Sequence, residues 1–249
     1  MRSLSIAFFL VIVSACSSQV ATSSEEVELA KGLNEEADLS EVTDPSIIDT
    51  TDLGLTFIPS GSYAKIKASA SKVKASDTDG KDFEEYLLNQ IIPHWYGTEW
   101  DFNGYTDVPN QGVIACGYFV STTLKHAGLK VNRYKMAQQA GLYEAQTLAL
   151  NEGNYRTIYG IDKLMKILKE EYTDGLYFVG LDNHVGYLYI KNGTPYFLHS
   201  NYIEDRVQIQ KAYFADAFQS GVYVVAEIST NKELMAKWRK GEVVTVVLP

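Results

Sequence analysis

The chain has 249 residues, 46% of them hydrophobic and 21% charged, with a formal net charge of −9 and two cysteines. That length suits one sizeable core with some chain to spare. The acidic balance, and the lack of any Lys/Arg cluster interleaved with aromatics, argue against nucleic acid as a partner, and two cysteines cannot make a disulfide framework.

The first residues, "MRSLSIAFFLVIVSACSS", have the layout of an export signal. Arg2 supplies the positive region, Ile6 to Val13 an apolar run too short to span a bilayer, and Val13-Ser14-Ala15 a small-residue approach to Cys16. Val-Ser-Ala-Cys resembles a bacterial lipobox, which implies a signal peptide over 1–15 and a diacylated Cys16. Ser17, rather than Asp, after the cysteine points by the same resemblance to the outer membrane, facing the periplasm.

Residues 17–52 hold ten Asp or Glu against Lys31 and carry no aromatic residue. Such a segment buries too little apolar surface to offset its ordering entropy, so 16–52 reads as a solvated acidic tether. Removing it leaves residues 53–249 close to neutral, and with no internal repeat or long Pro/Gly linker they read as one domain.

Within that domain, "DGKDFEEYLLNQIIPHW" opens with a turn and spaces Phe83, Tyr86, Leu87, Gln90 and Ile91 for a helix ending near Pro93. An aromatic, Gly-rich loop follows, then Cys116 and a helix with Phe119, Val120, Thr123, Leu124 and Ala127 on one face and Gly128 at its end. Two more helices are predicted, around Lys135 to Leu150 and Ile161 to Glu171. The period then becomes extended.

Residues 175–181, 184–191, 194–202, 206–210 and 221–228 are rich in β-branched and aromatic side chains, and Asn192-Gly193 marks a hairpin between the second and third. A helix over Asn231 to Lys240, with Gly241 beyond it, and a terminal strand "EVVTVVL" complete the pattern. Helices first and an antiparallel meander after them define an α+β domain.

The chemistry gathers on Cys116 and the histidines. His94 and His126 are poorly placed, the latter nearly three helical turns from the thiol. His184 opens a strand after the turn-like "LDN" and His199 lies on the strand paired with it. With Lys191 opposite Thr194, residue 184 faces residue 201, which brings His199 within diagonal reach and puts Asn201 on its face. A thiol at a helix N-terminus beside an imidazole is an arrangement for nucleophilic catalysis, with a thiol pKa expected below the free value. A second imidazole can orient the first. Two plainer readings compete: Cys116 as a small buried apolar residue, and Cys116, His184 and His199 as zinc ligands, which no close-spaced ligand pair supports.

In order along the chain stand "GTEWDFNG" (97–104), "ACGYFV" (115–120), "HVGYL" (184–188) and "FLHS" (197–200). Together they resemble the NlpC-type cysteine peptidases, papain-like hydrolases of bacterial cell-wall peptides, whose segments run "GTPYVWGG", "DCSGFV", "HVGIY" and "FIHA". The resemblance implies a papain-like NlpC-type fold without cofactor or metal. It makes Cys116 the nucleophile, His184 the base and then acid, and His199 the orienting third member. It further implies Gln111 as an oxyanion donor with Asn201 as an auxiliary, and Trp100 and Tyr118 on the substrate side. The chain departs from the pattern at Ala115, Gly117 and Tyr118, where the family has Asp, Ser and Gly around the nucleophile. The function implied is a lipid-anchored envelope amidohydrolase or endopeptidase acting on peptidoglycan stem peptides. A lipid acyl hydrolase or acyltransferase of the same thiol fold, or a non-catalytic envelope binding lipoprotein, are the alternatives.

Overall fold

The computed structural model describes residues 53–74 and 80–249. The signal peptide, Cys16 and the acidic tether lie outside the described residues. Helix α1 (Tyr63–Lys74) is followed by α2 (Lys81–Tyr86), which runs into a π-helical turn (Leu87–Ile91) and a 3-10 turn (Ile92–His94). The wide turn rotates the face: Leu87, Leu88 and Ile91 are buried while Gln90, predicted on the inner stripe, is exposed.

Helix α3 (Cys116–His126) buries Phe119, Val120, Thr123 and Leu124 as its spacing requires, and Gly128 beyond it takes φ +92°, a conformation open to glycine at no steric cost. A short strand β1 (Lys130–Val131) leads to two helices where one was predicted, α4 (Arg133–Ala137) and α5 (Gly141–Ala149). Asn132 caps the start of α4 by accepting from the Lys135 N–H, and the break before α5 falls at Ala140, which is extended with ψ 151°. Gly141 then packs on the backbone of Gly180, where a Cβ on either glycine would sit 2.8 Å from the other's Cα.

Strand β2 (Tyr155–Tyr159), which the sequence did not announce, precedes α6 (Ile161–Glu171). Strands β3 (Gly175–Gly180), β4 (Val185–Lys191), β5 (Thr194–Asn201) and β6 (Arg206–Lys211) then form the predicted meander, with Lys191 opposite Thr194. Strand β7 (Val222–Glu227) does not extend it past β6 but inserts between β2 and β3, giving the antiparallel order β2-β7-β3-β4-β5-β6. Helix α7 (Lys232–Lys240) starts at Asn231, whose side chain accepts from the Glu233 and Leu234 N–H groups, and ends at Gly241, φ +64°. The terminal strand shrinks to β8 (Val243–Val244) and pairs in parallel with β1, away from the large sheet.

The sheet is apolar on both faces. Phe83, Trp95, Phe119, Leu148 and Trp238 belong to the core on one side, with Tyr187 and Leu198 from the sheet. Leu164, Ile167 and Leu168 of α6 pack with Val179, Leu188 and Phe197 on the other. Complete burial explains why β3 and most of β4 read as continuous apolar runs rather than alternating ones. The described residues are therefore mixed α+β, with helices against an antiparallel sheet.

Candidate active site

Cys116 is the first residue of α3, and its approach is pinned from two sides. The Ala115 N–H donates to Gly104 O (2.9 Å) and the Ile114 N–H to Glu99 O (2.9 Å), while the Ser200 hydroxyl of β5 donates to Ile114 O (2.7 Å). Gly104 permits this contact, because a Cβ there would lie 2.6 Å from the backbone of Ile114. The N-terminus of α3 is thus tied to the strand that carries His199.

His184 precedes β4 in a turn that is tied down. Leu181 N–H donates to His184 O (2.8 Å), and Asp182 accepts from the Ser220 hydroxyl and the Gly221 N–H, both at 2.8 Å. Those two bonds hold the Asp182 carboxyl below its ordinary value. The His184 ring meets Phe197 and Tyr202 edge-on, at 5.5 and 5.1 Å between centroids, and the His199 ring stacks on Phe197 at 4.0 Å.

A chain of polar contacts fixes the proton positions. Glu204 accepts from Arg206 (2.8 Å) and from Gln210 Nε2 (3.0 Å); a carboxylate only accepts, so Gln210 must turn its amide nitrogen toward it. Gln210 Oε1 then faces His199 Nε2 at 3.2 Å, and that nitrogen must carry the hydrogen. Burial pushes the His199 pKa down to about 3, so the ring is neutral and its Nδ1 is bare. His184 Nε2 lies 2.7 Å from that Nδ1 and donates to it. Burial, and then the neighbouring His199, depress His184 well below the ordinary range, so its remaining nitrogen, Nδ1, is an unprotonated acceptor. The network leaves His184 in the tautomer a general base requires.

Cys116 and His184 both line a cavity of about 560 Å³ walled by α5, the 181–185 turn and the ends of β2 and β7. The expectation of a depressed thiol pKa is overturned. Burial pushes Cys116 up to about 11, and Glu144 adds to the rise. The N–H groups of Val185, Gly117 and Cys116 itself pull in the other direction without prevailing. The resting pair is a neutral thiol and a neutral imidazole.

Asn201 is buried on the His199 face, donating to Gln210 Oε1 (3.4 Å) and accepting from the Ile203 N–H (2.8 Å). It steadies the Gln210 end of the chain of contacts rather than His184. Trp100 packs on Tyr202 at 6.1 Å, so it reaches His184 through that ring, and its indole Nε1 is buried without a partner. Tyr118 belongs to an aromatic cluster with Tyr105, Tyr134 and the Arg133 guanidinium, 5.6 Å from its ring, outside the residues lining the cavity. Gln111 lies in an exposed turn, its carbonyl accepting from the Thr106 hydroxyl, and does not line the cavity either. Among the described residues no group of three His, Cys, Asp or Glu side chains is placed to hold a metal ion.

Three participants escaped the sequence reading. Gln210 carries a faint signal, since "RVQIQ" alternates polar residues on a strand paired with the His199 strand, whereas Glu204, in the turn before that strand, carries none. Glu144 carries a clearer one: it shares the core face of α5 with Ala145 and Leu148, where an acid stands out. No family model matches the chain, and neither a curated protein nor a solved structure matches it.

Proposed function

We propose that the protein is a thiol-dependent amidohydrolase or endopeptidase of papain-like, NlpC-type architecture, using Cys116, His184 and His199. The observation that carries this reading is the His184–His199 contact at 2.7 Å, which leaves a bare acceptor, Nδ1, on a histidine that lines the same cavity as Cys116. As Sγ attacks an amide carbonyl, the S–H proton passes to Nδ1 and an S–C bond forms. The C–N bond then breaks, the proton leaves with the amine, and a thioester remains. Water, giving a proton to Nδ1, adds to the thioester; the C–S bond breaks, and the thiol and a carboxylic acid are released. His199 stabilises the transient imidazolium by accepting from its Nε2–H. The raised thiol pKa supports proton transfer during attack rather than a resting thiolate.

The favoured substrate is a peptidoglycan stem peptide, reached from a lipid anchor at Cys16 in the bacterial envelope, on the outer membrane facing the periplasm. Valines 185, 222 and 224, with Leu142, line the same cavity and favour a lipid acyl group as the second reading. Digesting purified muropeptides and lipid extracts side by side, with Cys116→Ala as control and mass spectrometry as readout, tests both. New amines and carboxylates from muropeptides alone support the first. A Cys116→Ala protein that is as active as wild type ends both.

A further inference from the structure

Helix α1, "YAKIKASASKVK", carries Lys65, Lys67, Lys72 and Lys74 and no acid. Tyr63, Ile66, Ala70 and Val73, spaced by three or four residues, pack on the core. That spacing leaves Lys65 and Lys72 exposed about two turns apart, with the small residues Ala64, Ala68 and Ser71 exposed beside them. Lys67 and Lys74 are half-buried on the flank, where the Lys74 ammonium lies 5.9 Å from the Trp238 ring centroid. The fold adds two exposed lysines to this side. Lys125, near the end of α3, and Lys67 both act on His126: after burial they help hold it down to about 4, with Asp107 opposing them. Burial, and then Lys130 of β1, lower the Lys74 pKa. Among the described residues no carboxylate pairs with any of these six lysines, whereas Lys237 and Lys240 of α7 pair with Glu242.

Helix stability does not account for the pattern, because Lys65 stands in the first turn, where the helix dipole disfavours a cation. Residues 53–249 are close to neutral, so gathering unpaired lysines on one side leaves the remainder acidic and the charge segregated. None of the six lines a principal cavity. A helix surface of lysines and small side chains encloses no small anion and fits an extended anionic surface. Ile58, in the loop leading into α1, is 82% exposed and adds an apolar tip. We propose that this side of the domain docks on a bilayer containing anionic phospholipid, with the lysines meeting lipid phosphates and Ile58 entering the headgroup layer. A bilayer is favoured over a soluble polyanion because it rewards both the charge and the apolar tip. The docking surface rests on neither the hydrolase reading nor a lipid at Cys16.

Lysine acetylation of the full chain, read residue by residue by mass spectrometry, tests this with phosphatidylcholine vesicles, with vesicles that also contain phosphatidylglycerol, and with soluble polyphosphate at equal charge. A lipid at Cys16 would hold the chain to both kinds of vesicle, so it does not create a difference between them. The anionic vesicles should slow acetylation of Lys65, Lys72, Lys125 and Lys130 by about fivefold, the gain in affinity that one lysine brings near such a surface. Lys163, Lys166 and Lys169 of α6, which packs on the other face of the sheet, should be unchanged. Salt at about 0.5 M should abolish the protection. Lys65→Gln combined with Lys72→Gln should reduce it at Lys125 and Lys130, and Ile58→Asp should reduce it at all four. Equal rates on the two kinds of vesicle, or equal slowing of the α6 lysines, overturns the proposal. Polyphosphate that protects as well as the vesicles, with Ile58→Asp unchanged from wild type, would make the partner a soluble polyanion and also overturn it.

Discussion

His184 Nε2 and His199 Nδ1 lie 2.7 Å apart, with Gln210 Oε1 a further 3.2 Å from His199 Nε2. The order of donors along this line leaves His184, which lines the cavity, with its Nδ1 unprotonated. In the proposed mechanism this order of protons makes His184 the base and His199 its orienting partner.

That order ranks the variants. His184→Ala should lower hydrolysis by about 10²- to 10⁴-fold, the range for loss of a general base, to the level of Cys116→Ala. His199→Asn keeps a carbonyl oxygen to accept from His184 Nε2–H and should retain partial turnover, whereas His199→Ala should retain less. Turnover measured on released muropeptide fragments checks this, and a dead His199→Asn beside an active His184→Ala would exchange the roles.

Gln210 should control the tautomers without touching substrate. In wild type, ring 15N shifts should place the hydrogen on Nε2 of both His184 and His199. Gln210→Leu removes the acceptor 3.2 Å from His199 Nε2, so the His199 hydrogen should redistribute and stability should fall by about 1–3 kcal/mol. Gln210→Glu retains an acceptor and should restore the Nε2–H form. Unchanged 15N shifts in Gln210→Leu would show that Gln210 does not set the tautomer.

The free thiol should react late in a pH titration. Alkylation of Cys116 by iodoacetamide should keep rising to a pH of about 11, where an unperturbed thiol levels off above roughly 8.5. Glu144 contributes to the rise, so Glu144→Gln should bring the midpoint down. A plateau by neutral pH would instead indicate a resting thiolate.

Acid should destabilise the fold before its carboxylates titrate. His199 (about 3), His126 (about 4) and His184 (well below its ordinary value) all have depressed folded pKa values, chiefly through burial. Their contribution is complete above the unfolded value of roughly 6.5 and is lost as pH falls toward the folded values, because unfolding then takes up protons. Glu144, raised by burial, works in the opposite direction, since its contribution is complete below its unfolded value and lost as pH rises through its folded one. Three histidines outweigh one acid between pH ~5 and ~6.5. Urea unfolding across that window should show falling stability with acidification, and His199→Phe should flatten the slope.

The sequence by itself determined the elements whose signals are local. Cys116 at a helix start, the Asn192-Gly193 turn with Lys191 opposite Thr194, and the helix capped by Asn231 and Gly241 follow from periodicity and turn chemistry among neighbours in the chain. Placing His199 diagonally from His184 needed only that register. Tertiary structure decided the rest. Gly141, where α5 begins after the break, packs on Gly180, 39 positions away, and β7 lies between β2 and the far edge of β3, pairings between segments distant in the chain. Burial is likewise a property of the whole fold. A helix N-terminus and a nearby imidazole argued for an acidic thiol, but the partial burial of Cys116 and the proximity of Glu144 raise its pKa instead. The sign of such a shift is set by which groups surround the sulfur in space, and residues 116, 144 and 185 become neighbours only when the helices dock on the sheet.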